Sequence, residues 1–125
     1  MLWPSTICSD FFGLPKTIQE LLKEHRGIKQ LYEWQQQMLG RILQTERNVI
    51  YCVPTSGGKT LVAEMMIFRE LILNRRNVLF VLPYISLVQE KIRSLIPFSI
   101  RCEFALEEYA GTKGKIPCIK RKLGR

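Results

Sequence analysis

Apolar residues near the start of the chain recur at helical spacing. Ile18, Leu21 and Leu22 share one side of a helix, Pro15 suits a first helical position and Gly27 a left-handed stop, so a helix is predicted over residues 15–25. Trp34, Met38, Ile42 and Leu43 predict a second helix over 33–44, with those four residues on one side. The pattern then changes. Residues 48–53 are few, apolar and partly β-branched, the composition of a buried strand. A helix over 59–73 follows, with Leu61, Met65, Phe68 and Ile72 as its apolar face. Arg75, Arg76 and Asn77 make a turn, 78–82 reads as a second buried strand, and 86–95 as an amphipathic helix ended by Pro97. Residues 104–109 read as a third strand before a loop with Gly111 and Gly114. Strand, helix and strand between 48 and 82 form one right-handed crossover. The fold class predicted is α/β with a parallel sheet.

The junction between the first strand and its helix carries the clearest chemistry. Val53 to Thr60 reads Val-Pro-Thr-Ser-Gly-Gly-Lys-Thr. A triphosphate needs many hydrogen-bond donors close together and no bulk in the way. Gly57 and Gly58 let the backbone approach phosphate oxygens, and with Thr55 and Ser56 they turn successive N–H groups inward as an anion nest. The helix start adds partial positive charge, Lys59 reaches the β- and γ-phosphates, and the Thr60 hydroxyl holds Mg²⁺. Val53 stands at the first place of G-x-x-x-x-G-K-S/T, where a small residue is usual.

Composition adjusts this picture in three ways. At 125 residues and 46% apolar content the chain suits one domain with a core. Its longest apolar run, 78–88, contains Pro83 and Ser86 and falls short of the ~20 residues of a membrane span, so no membrane partner is expected. The opening residues lack the basic lead and apolar core of a secretory signal. Cys8, Cys52, Cys102 and Cys118 stand far apart, which argues against a disulfide framework or zinc knuckle and fits a reducing compartment. Cys52 reads as a small core residue, Trp34 as a core anchor, and His25 as a solvated residue near a helix end.

The net charge of +8 is uneven. Residues 1–112 hold thirteen Lys and Arg against eleven acids, whereas Lys113, Lys115, Lys120, Arg121, Lys122 and Arg125 crowd the last thirteen residues with no acid. Such a tail either grips phosphates or is a solvated loop, and charge alone does not choose.

Gln35 is the second informative residue. A glutamine amide can pair with adenine by accepting from N6 and donating to N7, although a lone Gln on a helix is ordinarily a solvated surface residue. Its setting, GIKQLYEWQQQML, resembles the Q motif that precedes the phosphate loop in superfamily 2 helicases. Further blocks extend the likeness: FFGLPKTIQELLKEHRGIKQLYEWQ, NVIYCVPTSGGKTLVAE, VLFVLPYISLVQEK and EEYAGTKGK together resemble the Ski2-like DNA helicases, over about residues 11–122. The resemblance implies that the chain is the N-terminal, incomplete part of a RecA-like helicase lobe. Residues 1–47 would be helices with the Q motif, 48–112 the partial ATP-binding lobe, and 113–125 the basic tail. It implies ATP and Mg²⁺ as cofactors, Gln35 as the adenine reader, and Phe12 or Leu14 packing on the base. It also tolerates an apolar residue at Val53. For the whole protein it implies 3′-to-5′ unwinding of DNA, single-stranded or forked DNA as a partner, a nuclear location and a role in DNA repair. Pro83 and Tyr84 match motif Ia on the DNA-facing edge; the alternative is that they cap a strand.

No Asp-Glu-x-His or Asp-Glu-x-Asp box, second lobe or arginine finger occurs in these residues, and Glu107-Glu108 belongs to a different block. The 125 residues alone are therefore expected to bind nucleotide without hydrolysing it. In the ATPases resembled, the two strands flanking the phosphate-loop helix are separated by strands that come later in the chain. Residues 49–53 and 78–82 are accordingly expected to leave unpaired edges and exposed apolar faces, which favours a partly molten, aggregating or partner-dependent chain. Two other readings compete: a nucleic-acid-binding piece acting through the tail with a vestigial loop, and a small P-loop kinase, for which no acceptor or lid pattern is visible.

Overall fold

A computed structural model describes residues 11–45, 47–54 and 58–112, in two compact units, residues 1–78 and 79–125.

The first unit is built from helices. A 3-10 turn, Phe11–Gly13, precedes α1, Lys16–Arg26. Pro15 stands just before α1 and buries no donor there, since it has no N–H to leave unpaired. Ile18, Leu21 and Leu22 all lie in the core, as their spacing predicts. Gly27 takes the left-handed conformation, φ +65°, and donates to the Lys23 carbonyl at 3.1 Å while Ile28 donates to Leu22. That closes the helix as glycine caps do. His25 is exposed in the last turn.

Helix α2, Glu33–Leu43, turns a different face inward from the one predicted. Gln35, Leu39 and Gly40 are buried, whereas Trp34, Met38, Ile42 and Leu43 are half-buried. The buried line continues from Leu31, so a polar residue sits where an apolar one would be read. Helix α3, Lys59–Phe68, packs against α2 and buries Leu61, Val62, Glu64, Met65 and Phe68. The predicted helix to residue 73 is reached by a wider π-helical turn, Arg69–Leu73, in which the Asn74 N–H bonds back to the Arg69 carbonyl at 3.2 Å. Arg69 uses this turn to reach the Phe12 carbonyl at 3.0 Å, joining the end of α3 to the start of the described chain. No turn is formed at 75–77: the bend lies at Asn74, Arg75 is left-handed, and the Arg76 N–H donates to the Glu70 carbonyl at 2.9 Å.

The second unit contains α4, Ile85–Cys102, with Leu95 and Phe98 buried. Pro97 does not end it. Proline removes one N–H bond and crowds the carbonyl four residues before it, a cost of about 3 kcal/mol or more. Leu95 and Phe98 bracket Pro97 on the buried side, and their burial offsets that cost. The helix stops instead at Glu103, which is left-handed (φ 56°), with Phe104 donating to Ser99 at 3.1 Å.

The predicted strands are the main difference. Residues 48–53, 78–82 and 104–109 form no strand, and β structure among the described residues is confined to an isolated bridge at Ala110. A strand exists only when its backbone groups meet another backbone in a ladder, and these segments have none. Several of their apolar side chains stay in solvent: Ile50 is 95% exposed, Leu79 79% and Val81 77%. Cys52 is exposed too, so it is not the core residue expected of a buried strand. No described helix is long and apolar enough to cross a membrane.

Candidate functional site

Of the phosphate-loop region, Val53, Pro54 and Gly58 to Thr60 are among the described residues. Thr55, Ser56 and Gly57 lie outside them, as do Lys113 and Lys115. Gly58 caps α3 in the left-handed conformation, φ +73°. A side chain would be strained there, and a Cβ would stand 2.8 Å from Gln35 Nε2. Glycine is thus required twice at this position, by the backbone angle and by the neighbour.

That neighbour is the residue singled out from the Q-motif resemblance. Gln35 is 1% exposed, and both ends of its amide are engaged. Its Oε1 accepts from the Tyr32 N–H at 2.8 Å, and its Nε2 donates to the Gly58 carbonyl at 2.9 Å. The first bond satisfies a donor at the start of α2 and fixes which end of the amide is oxygen. The second spans 23 residues and joins α2 to the loop. The structure therefore brings Gln35 and the loop together. Among the described residues these two bonds use one acceptor lone pair and one N–H of the buried amide.

Lys59 and Thr60 are exposed on the first turn of α3, and no side chain caps that turn among the described residues. An uncapped helix start keeps its N–H groups available to an anion. Lys59 and Thr60 thus fit a Mg²⁺-bound triphosphate, the lysine by charge and the threonine by its hydroxyl. Tyr51 braces the same turn, its hydroxyl donating to the Lys59 carbonyl at 2.6 Å. Burial pushes the Tyr51 phenol above its ordinary range, with the Ala63 backbone opposing in part, so the donor form persists at neutral pH.

The groups proposed to pack on the base are placed differently. Leu14 is buried and Phe12 half-buried, while Phe11, Gln19, Leu22, Ile28 and Gln30 help line a small open pocket that includes neither Gln35 nor the loop. In the second unit, Pro83 and Tyr84 are exposed, and Tyr84 caps α4 through its carbonyl, accepting from Leu87 and Val88.

Sequence reasoning missed one functional-looking contact. Glu64, 1% exposed, is ion-paired with Arg26 of α1. The signal was present in the spacing. Glu64 lies three residues after Leu61 and four before Phe68, inside the apolar stripe of its helix, where an acid needs a partner.

The chain is similar to Helicase POLQ-like of Drosophila melanogaster, 49% identical over 117 residues, which is 93% of this chain and 11% of that protein. The human Helicase POLQ-like is 48% identical over 113 residues, 90% of this chain and 10% of its own length. Mouse DNA polymerase theta is 42% identical over 83 residues, 64% of this chain and 3% of its own length. The chain thus spans about a tenth of the length of the two POLQ-like helicases. No solved structure matches the chain. The Ski2-like resemblance is borne out, and the POLQ-like helicases match more of the chain, at higher identity, than DNA polymerase theta does. The model of the DEAD/DEAH box helicase family, whose domain is RecA-like, matches residues 32–118. That stretch opens at Tyr32, whose N–H holds the Gln35 amide, and takes in the loop that this amide reaches; the chain belongs to the DEAD/DEAH box helicase family.

Proposed function

We propose that this chain is the ATP-binding portion of an ATP-dependent DNA helicase. The observation that carries the reading is the bond from Gln35 to Gly58, because it links the base-reading motif to the phosphate loop within one unit. Thr55 to Thr60 would cradle the triphosphate, with Lys59 on the β- and γ-phosphates and Thr60 on Mg²⁺. The nucleotide supplies the free energy of phosphoryl transfer, and these residues bind and orient it. Residues 48–53 and 78–82 would serve as strands of a RecA-like parallel sheet, because their composition suits burial on both faces.

The parent helicase, on this reading, binds single-stranded or forked DNA and unwinds DNA in the 3′-to-5′ direction during nuclear DNA repair. Support comes from the likeness to Helicase POLQ-like and DNA polymerase theta. Pro83, Tyr84, Lys113 and Lys115 are the residues we assign to the nucleic acid.

Replacing Gln35 by alanine is expected to weaken ATP more than GTP, by about 1–3 kcal/mol, the range for a bidentate base contact. Titration with fluorescent ATP and GTP analogues measures this, and equal losses for the two would remove Gln35 from base recognition. DNA affinity of the chain is expected to come mainly from residues 113–125 and to fall steeply with salt, since that segment holds most of the net charge. A chain ending at Thr112 that keeps both the affinity and the salt slope would move the DNA contacts elsewhere. Salt-dependent DNA binding by a chain that binds no nucleotide would instead favour the reading of a vestigial loop.

A further inference from the structure

Helix α3 is tied to the segment before it at three heights. Gln35 holds Gly58 at its start, Arg26 pairs with Glu64 near its middle, and Arg69 reaches the Phe12 carbonyl just past its end. The middle tie differs in kind, because it places a carboxylate in the core. Arg26 stands in the last turn of α1, where the helix dipole favours a cation, and 38 residues separate it from Glu64.

A buried ion pair is a poor source of stability. Apolar residues of similar volume often do as well or better, whereas the pair can fix one packing register against its neighbours. Glu64 lies five residues after Lys59, roughly 7.5 Å along the helix axis. A helix is stiff over that length, so a shift at Glu64 passes directly to Lys59 and Thr60. A slip of one residue would move the helix about 1.5 Å and turn it by roughly 100°. Apolar contacts at Leu61, Met65 and Phe68 resist separation of the helices more than they resist sliding. The ion pair joins two particular atoms and resists both.

We propose that Arg26 and Glu64 are a positioning pair for nucleotide binding, setting the register of α3 against α1 so that Lys59 and Thr60 meet the triphosphate. The proposal rests on the nucleotide-binding reading above. Its test is the full chain carrying R26M and E64M together, titrated with a fluorescent ATP analogue and Mg²⁺ and melted under circular dichroism. The melting midpoint is expected to stay level or rise, while affinity falls about tenfold, the equivalent of losing about one hydrogen bond. The single variant E64Q keeps the size of the side chain and removes its charge. It is expected to weaken the analogue in the same direction with helical content unchanged.

A Met pair that binds as tightly as the wild-type chain overturns the inference and leaves the nucleotide-binding reading standing. If the Met pair does not fold, E64Q decides, and unchanged affinity in E64Q overturns the positioning role. Loss of fold in both variants also overturns it, because the pair then serves the core itself. A wild-type chain that binds no triphosphate overturns the reading and the inference together.

Discussion

Lys59→Ala is expected to weaken triphosphate binding ten- to hundred-fold while leaving the helices intact. The size follows from losing a hydrogen bond to a charged group, about 1.5–3 kcal/mol. The selectivity follows from the structure. The Lys59 side chain is exposed, so its removal opens no cavity, and alanine is a better helix former than lysine. Among the described residues, the hydrogen bond that braces Lys59 uses its main-chain carbonyl, which accepts from Tyr51 and survives the substitution. Titration with a fluorescent ATP analogue, set beside far-ultraviolet circular dichroism of the same samples, measures both halves. Unchanged affinity would remove Lys59 from the phosphates.

Phe68→Ala is expected to act in the opposite manner, destroying the fold and with it every other property. Phe68 is fully buried at the end of α3, directly before the π-helical turn from which Arg69 reaches Phe12. Truncating a buried phenylalanine costs about 3–5 kcal/mol, against a total of roughly 5–15 kcal/mol for an ordinary domain. The first unit holds its α2–α3 packing on few large side chains, so that loss should leave little cooperative structure. Urea unfolding followed by circular dichroism measures it, and a loss under about 1 kcal/mol would show that the core is centred elsewhere.

How much could be read without the structure depended on the range of the interaction. Gly27, Lys59 and the trio Ile18, Leu21 and Leu22 were legible because caps and apolar stripes are properties of a few neighbouring residues. Gln35 was legible as chemistry but not as burial. Its bond to Tyr32 is local to the start of α2, but its bond to Gly58 is made only after α2 has come to rest beside the loop. The inward face of α2 was misread for the same reason, since the amide takes a core place that Trp34 and Met38 were expected to fill. Pro97 was read by its local cost alone, and the burial of Leu95 and Phe98 outweighed it. Residues 48–53 have the composition of a strand, but composition cannot provide a partner backbone. Glu64 was the most instructive omission, because an acid within an apolar stripe points to a cation that spacing cannot name.

The loop also lies at a boundary in time. Backbone amides of α3 are held in helical bonds, whereas those along 48–53 have no ladder and are expected to exchange with water faster, which hydrogen exchange measures. Gly58 stands beside the slow side of that boundary. A ligand seated there would meet a helix already at rest on one flank.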